Sequence, residues 1–385
     1  MERAEGQKIV GVMGSGMIGT DPYAENAWSG SSRFFFAECA RQGVLHRAFG
    51  VEVPASRKLP LMLRNFSPDR ALWRRKFYLD TRYYDALSRE LASQLGADDR
   101  RHTVLQIGGI YNLRASLGKG RLVSYHDGNL AQAMKSPQFA RNVSQRRVQK
   151  ALDFEREVYR NIDVVFTMSE YLKTSFVEDF GVDASRVENI GAGINLESFP
   201  AAPVNKDYDS KKLLFVGADF TRKGGPDLLK AFQKVRLRHP SAELHIIGPR
   251  ELSIPAEVSA GVVNVGFLSK KDPDQRRRFE QIVAQSSLYV MPSIYEPFGI
   301  APLEAMSNQI PAVLSNAWAF PEMVTPGVNG ELVKTGDVDD MAEKIIALLD
   351  DPARLEAMGL AARTMVQGRF TWEAVVKKMR RKLSV

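Results

Sequence analysis

Met291-Pro292-Ser293-Ile294-Tyr295-Glu296-Pro297-Phe298-Gly299-Ile300-Ala301-Pro302-Leu303-Glu304-Ala305-Met306 is the stretch whose local grammar decides the fold. Ser287–Met291 is apolar and short, so it reads as a buried strand that Pro292 ends. A turn follows, and a helix starts after Gly299, with Pro302 in a first turn where its missing N–H costs nothing. A strand, turn and helix in this order aim the unpaired backbone amides of Gly299, Ile300 and Ala301 outward from the carboxyl edge of a sheet. Open α/β sheets bind ligands there, and amides so placed suit a diphosphate. Glu296 precedes the helix and Glu304 lies inside it, eight positions on; carboxylates accept well from vicinal hydroxyls. From spacing alone a helix-capping acid and a surface acid explain the same two positions.

The alternation extends in both directions. After a polar, linker-like Ala201–Asp209, the second half reads as strand Lys212–Gly217, helix Gly225–Arg238, strand Ala242–Gly248, helix Asp274–Ala284 and strand Ser287–Met291, then the helix Pro302–Ser307, the strand Ile310–Leu314 and helices from Asp337. The first half reads as strand Lys8–Met13, helix Arg33–Arg41, strand Arg47–Val53, one long helix from roughly Asp69 to Gln94, strands near Thr103–Ile107 and Leu122–Tyr125, helices between Asn129 and Arg160, and a strand at Asp163–Met168. Alternation of this kind implies parallel sheets covered on both faces. A chain of 385 residues exceeds what one hydrophobic core sustains, so two domains are expected.

Composition narrows the function classes. Apolar residues at 44% and charged residues at 25% suit a globular protein, and no window approaches the ~18 consecutive apolar residues of a membrane span. The N-terminus shows no signal-peptide pattern, so a cytoplasmic location is expected. Cys39 is the single cysteine, which excludes an internal disulfide and Cys-rich metal sites. The histidines 46, 102, 126, 239 and 245 show no metal-ligand spacing, so no metal is expected. The net charge is +8, and Arg57–Arg121 carries fourteen basic against six acidic side chains. That basic first half suits a phosphate-bearing or anionic-lipid partner at least as well as ordinary solvated faces. Trp73-Arg74-Arg75-Lys76-Phe77 mixes aromatic and cationic side chains as membrane-surface segments do. Nucleic acid is not an expected partner.

Gly14-Ser15-Gly16-Met17-Ile18-Gly19 literally matches the dinucleotide fingerprint, which would make the chain a nicotinamide-dependent oxidoreductase. In that fold the helix opens inside the glycine motif, whereas Thr20-Asp21-Pro22 and the residues to Gly30 delay it here to about Ser31. A mobile glycine loop followed by a second turn, Trp28-Ser29-Gly30-Ser31-Ser32, is the more natural reading.

Pro-Ser-x-x-Glu-Pro-Phe-Gly followed by Leu-Glu-Ala-Met resembles the Glu-x7-Glu signature of retaining family 4 glycosyltransferases of the GT-B fold. Ile190-Gly191-Ala192-Gly193-Ile194-Asn195-Leu196-Glu197-Ser198-Phe199, Phe215-Val216-Gly217 with Lys223-Gly224, and Pro321-Glu322 with Gly327-Val328-Asn329-Gly330 resemble further elements of that family, in order and across almost the whole chain. The resemblance implies an α/β GT-B fold, with two Rossmann-like domains facing across a cleft. The first would cover residues 1–200 and the second, donor-binding one 201–370, with a last helix over 371–385 packing back on the first.

It also implies roles. Lys223 would contact the donor diphosphate, Glu304 the ribose and Glu296 the transferred sugar. His126 would lie near that sugar, although by itself it reads as a core histidine. Gly30 and Ser31 take the place of a Gly-Gly turn near the phosphates, and Gly217 and Phe298 complete the donor contacts with Gly299, Ile300 and Ala301. The family's arginine after the strand glycine is Ala218 here, with Arg222 as its replacement. The implied reaction is metal-independent retaining transfer from a UDP- or GDP-type nucleotide sugar, a co-substrate rather than a cofactor, to a glycan, lipid-linked or small-molecule acceptor. A catalytically silent nucleotide-sugar-binding module would keep the same carboxylates. The triplet Asp272-Pro273-Asp274 is read as a helix cap, not a metal site.

Overall fold

The computed structural model describes residues 7–14, 19–108, 111–136, 139, 141–203 and 205–385. They divide into two units, one formed by Met1–Asn195 with Trp372–Val385 and the other by Leu196–Thr371.

In the first unit the chain runs β1 (Ile9–Gly14), α1 (Ser31–Arg41), β2 (Leu45–Val51), α2 (Ala55–Arg64), α3 (Arg70–Tyr78), α4 (Thr81–Gln94), β3 (Thr103–Ile107), α5 (Arg114–Leu117), β4 (Leu122–His126), α6 (Leu130–Met134), α7 (Gln145–Arg160), β5 (Val164–Thr167), α8 (Glu170–Glu178) and β6 (Val187–Asn189). The strands pair in the parallel order β2-β1-β3-β4-β5-β6. β1, β3, β4 and β5 are buried along their whole length, as expected where helices cover both faces of a sheet. Aromatic rings dominate one side of this core: Tyr159 packs against His126, Phe176 and Phe180 with centroids 4.8–5.6 Å apart.

The second unit continues with β7 (Lys212–Val216), α9 (Gly225–Arg238), β8 (Glu243–Ile247), β9 (Val262–Gly266), α10 (Pro273–Gln285), β10 (Leu288–Met291), α11 (Ile300–Met306), β11 (Ala312–Ser315), β12 (Gly330–Val333), α12 (Val338–Leu349) and α13 (Pro352–Arg369). Its parallel order is β12-β11-β10-β7-β8-β9. α14 (Trp372–Leu383) then belongs to the first unit. There the Trp372 ring meets Phe35 of α1 at 5.9 Å, and a Cβ on Gly193 would fall 2.4 Å from the Trp372 nitrogen.

Several expectations need correction. The single helix from Asp69 to Gln94 is two helices, because Asp80 at the break accepts from the Arg82 amide and caps α4, as Asp69 caps α3. α2, α5, α8 and the strands β6, β9 and β12 are absent from the sequence reading. β9 lies at the sheet edge with its residues exposed or only partly covered, and Asn264 interrupts its short valine run. Phe77 is buried against Tyr83, and the Trp73 indole donates to the Met62 carbonyl at 2.8 Å. Phe77 therefore belongs to the core, while Trp73 is half-buried.

Candidate functional site

In the second unit, the loops after the neighbouring strands β7 and β10 leave the same carboxyl edge and are tied together by their backbones. The Ile294 amide donates to the Arg222 carbonyl at 2.9 Å. They approach so closely that a Cβ on Gly224 would lie 2.0 Å from the Pro292 carbonyl oxygen, and Gly224 adopts φ +75°. Only glycine meets both conditions without strain. Gly224 also begins α9, with Pro226 in its first turn.

This junction brings three charged side chains together. Lys223 Nζ lies 2.7 Å from Glu296 Oε2, and Arg222 Nη1 lies 3.4 Å from the same oxygen. Adjacent in sequence, the two cations converge on one carboxylate. Arg222 also donates to the Tyr295 carbonyl at 2.7 Å, while Lys223 has the Met291 sulfur at 3.4 Å. The Lys223 stem lies over Gly217, where a Cβ would come within 2.1 Å of its Cδ. Glu296 is 8% exposed. Burial pushes its carboxyl up, but the charges and hydrogen bonds of Lys223 and Arg222 outweigh burial and hold it below the ordinary range. Arg222 Nε also lies 3.4 Å from the half-exposed Asp219 carboxylate, so two cations balanced by two carboxylates stand at a sheet edge where α/β proteins bind ligands.

Gly299 follows with φ +103° and precedes α11 without a side-chain cap, so the first amides of that turn have no intrahelical partner. Ile300 is half-buried, and Ala301 and Glu304 line a small apolar-walled pocket with Leu214, Val216 and Phe279. Phe298 is buried and packs against Phe370 at 6.3 Å; its side chain is part of the core and only its backbone faces the turn. Glu304 pairs with Lys270 at 3.0 Å. Lys270 was not singled out in the sequence, because it sits in a polar loop whose spacing carries no motif. Nearby, Arg250 stacks on Phe267 at 4.2 Å, and both line an open pocket of about 470 Å³ with Ser269 and Gln275. Ser293 is a further residue without an assigned role: it follows β10, is fully buried, and its hydroxyl has no hydrogen-bond partner.

The expected residues of the first unit fall in two places. Trp28, Ser29 and Gly30 adopt φ values of +46°, +56° and +88° in succession, a strained run of the kind held at binding turns. Gly30 is the N-cap of α1, and Ser31, buried, accepts from Asn195 Nδ2 at 3.1 Å. His126 is 2% exposed between Tyr159 and Phe176. Burial lowers its pKa to about 3, so it is neutral at physiological pH, and its Nε2 has no partner. Ser15–Ile18 of the glycine loop lie outside the described residues. The helix after that loop begins only at Ser31, as the sequence suggested, too late for a dinucleotide turn.

Asp272 caps α10, accepting from the Asp274 and Gln275 amides. The structure does assemble one cluster that spacing conceals: ligand atoms of His46, Asp98 and His102 lie within 4.8 Å of one another. The Lys8 amide donates to His102 Nδ1 at 3.2 Å, which commits that lone pair, so an ion would have to displace this bond.

Comparison with known proteins places this geometry. Residues 200–365 match the family described as Glycosyl transferases group 1. A GDP-mannose-dependent monoacylated α-(1-6)-phosphatidylinositol monomannoside mannosyltransferase from Corynebacterium glutamicum is 30% identical over 246 residues, which cover 58% of this chain and 62% of that protein. The chain thus spans under two thirds of the length of this relative. Among solved structures, sucrose-phosphate synthase from Thermosynechococcus elongatus superimposes with a TM-score of 0.68 at 18% identity, covering 98% of both chains. The Anabaena HepE protein in complex with UDP gives 0.62 at 18% identity, covering 98% of this chain and 99% of that one. These likenesses establish the GT-B fold, with its two Rossmann-like units. The stretch that matches the glycosyl transferases group 1 family, residues 200–365, includes the Lys223–Arg222–Glu296 cluster.

Proposed function

We propose that this protein is a retaining glycosyltransferase that moves a sugar from a UDP- or GDP-type nucleotide diphosphate donor to a glycan, lipid-linked or small-molecule acceptor, without a metal ion. The observation that carries the reading is the convergence of Lys223 and Arg222 on buried Glu296 within the family-matched segment. Two similar proteins support the donor class: one takes GDP-mannose by name, and HepE was solved with UDP.

In this reading the donor diphosphate competes with Glu296 for the two cations, and Glu296, released from them, accepts from hydroxyls of the transferred sugar. As the glycosidic bond to the diphosphate lengthens, negative charge grows on the leaving phosphate. Lys223, Arg222 and the amides at Gly299–Ala301 are fixed donors for that charge; losing one such donor typically costs ~10²–10³ in kcat. The acceptor attacks from the face the diphosphate leaves, and a phosphate oxygen takes its proton. Glu304 holds the ribose, its oxygens shared with Lys270. His126, buried in the first unit and neutral, is suited to hydrogen bonding and not to acting as a cation.

A panel of nucleotide sugars tested by thermal stabilisation and by release of free nucleotide, before and after exhaustive chelation, decides the matter. One donor should stabilise the protein, by ~2.7 kcal/mol at 100-fold its Kd, and turnover should survive chelation. If no nucleotide sugar binds or is consumed, the proposal fails; activity lost on chelation and regained with Mg²⁺ or Mn²⁺ overturns the metal-independent mechanism.

A further inference from the structure

α2 is unusual among the helices of the first unit in burying none of its residues. Its inner side chains Leu61 and Met62 rest partly covered against the core, while Leu59 and Leu63, four apart and hence on one face, are 56% and 74% exposed. Phe66, just beyond the helix, is 60% exposed and meets Trp73 at 5.7 Å. Three of the nine large exposed apolar side chains of the described residues thus fall within eight positions. Scattered singly such residues need no explanation, but an apolar ridge does.

The charge around the ridge is one-sided. From Ala55 to Lys76 there are seven basic residues and one acid, Asp69, whose carboxylate is spent on capping α3. Arg57 and Lys58 are paired with Glu90 and Glu52, whereas Arg64, Arg70 and Arg74 form no ion pair among the described residues, and all three are exposed. The surface is also firmly held: the Trp73 indole bonds to Met62, and Asn65 bridges from the Leu61 carbonyl to Asp80.

We propose that the α2 ridge, Leu59, Leu63 and Phe66 with Arg64, Arg70 and Arg74 around it, docks the protein on an anionic lipid bilayer. An apolar stripe edged by unpaired cations matches the boundary between acyl chains and anionic headgroups. A protein partner or a second copy with an ordinary mixed-charge surface would leave those three arginines uncompensated. The inference does not depend on the glycosyl-transfer reading, since no residue of the second unit takes part.

The test is co-sedimentation of the full chain with phosphatidylcholine vesicles, with and without about one third phosphatidylglycerol. Binding should require the anionic lipid and weaken as salt rises. Arg64→Gln, Arg70→Gln and Arg74→Gln together should lower partitioning on the order of a hundredfold, since each base near such a surface contributes about fivefold. Leu63→Ser with Phe66→Ser should lower it further, while Leu237→Ser, a similarly exposed apolar residue of the second unit at 87%, should leave it unchanged. Circular dichroism of each variant establishes that the fold is kept. Equal binding to neutral and anionic vesicles overturns the proposal, as does indifference to both sets of substitutions. So does a wild-type dimer in sedimentation that Leu63→Ser converts to monomer, because the ridge would then be a contact between copies.

Discussion

Replacing Glu296 by Gln removes one charge and almost no volume, so its effect reads the electrostatics of the candidate site directly. At 2.7 Å and an effective dielectric of ~20, the Coulomb attraction to Lys223 is ~6 kcal/mol. Much of that only offsets the desolvation of two side chains that are 12% and 10% exposed. What is measured is the cost of stranding a partner, ~3–5 kcal/mol for a buried pair. Glu296→Gln, which strands Lys223, should therefore cost about 3 kcal/mol. Lys223→Met should cost less, about 2 kcal/mol, because Arg222 still faces the carboxylate at 3.4 Å. The double variant should cost well under the sum, a coupling of about 2 kcal/mol. Hydrogen exchange of peptides spanning 288–306, followed as urea is raised, reads this locally whether or not the two units unfold together. The pH course supplies a sign. A carboxyl held below its ordinary value stabilises above about pH 4.3, and this is lost as the pH falls through the folded value, so Glu296→Gln should flatten that acid limb. Affinity for a nucleoside diphosphate should not fall in Glu296→Gln, since Lys223 and Arg222 are left free to meet it, and should fall in Lys223→Met. A coupling within about 0.5 kcal/mol of zero would refute the reasoning, because the three groups would then not act as one cluster.

Glu304→Ala should weaken binding of nucleoside diphosphate and intact donor alike, by calorimetry, whereas Glu296→Gln should affect only the donor; equal loss of the bare nucleotide in both would refute the division of roles. Glu155, 5% exposed, has its carboxyl raised to about 7 by burial, against the Leu130 amide and Tyr159. The folded state therefore keeps a proton that the unfolded chain gives up between about pH 4.3 and 7, so stability should fall by about 3 kcal/mol across that window. Glu155→Gln should abolish the slope in denaturation measured at pH 5 and pH 8. Gly224→Ala should cost about 3 kcal/mol or more, from its positive φ and its contact with Pro292. Gly43→Ala, at φ +72° with nothing within 4 Å, should cost only about 1 kcal/mol; equal values in chemical denaturation would refute the close-approach argument.

The parts of the fold legible in the sequence were those where burial imposes a pattern. β1, β3, β4, β7 and β10 are largely apolar runs with Gly or Pro close by, β5 is one bounded by Asp163 and Ser169, and the strand, turn and helix around Glu296 lie as their residues suggested. β9 escaped notice because Asn264 breaks its short valine run at an uncovered sheet edge, and α2 because Pro60 interrupts a segment that buries nothing. The break at Asp80 was hidden inside a continuous helical periodicity. At the site, sequence marked Glu296 and Lys223 but not their contact, since seventy-three positions separate them and only the adjacency of β7 and β10 joins them. His46 and His102 met for the same reason, through the starts of β2 and β3. No pattern could have marked Lys270, whose significance is positional, whereas Ser293 stands inside the quoted signature and only its burial and unpaired hydroxyl were hidden.

α14 has a consequence for the order in which the protein takes shape during synthesis. Its Trp372 closes over Gly193 and rests on Phe35, so the first unit lacks a piece of its own interior until the residues beyond Thr371 leave the ribosome. The second unit, continuous from Leu196 to Thr371, is finished earlier. Domains generally fold in the order they emerge; here the unit holding β1 is completed only after the one that follows it, and until then α1 waits with an aromatic face exposed to whatever chaperone is at hand.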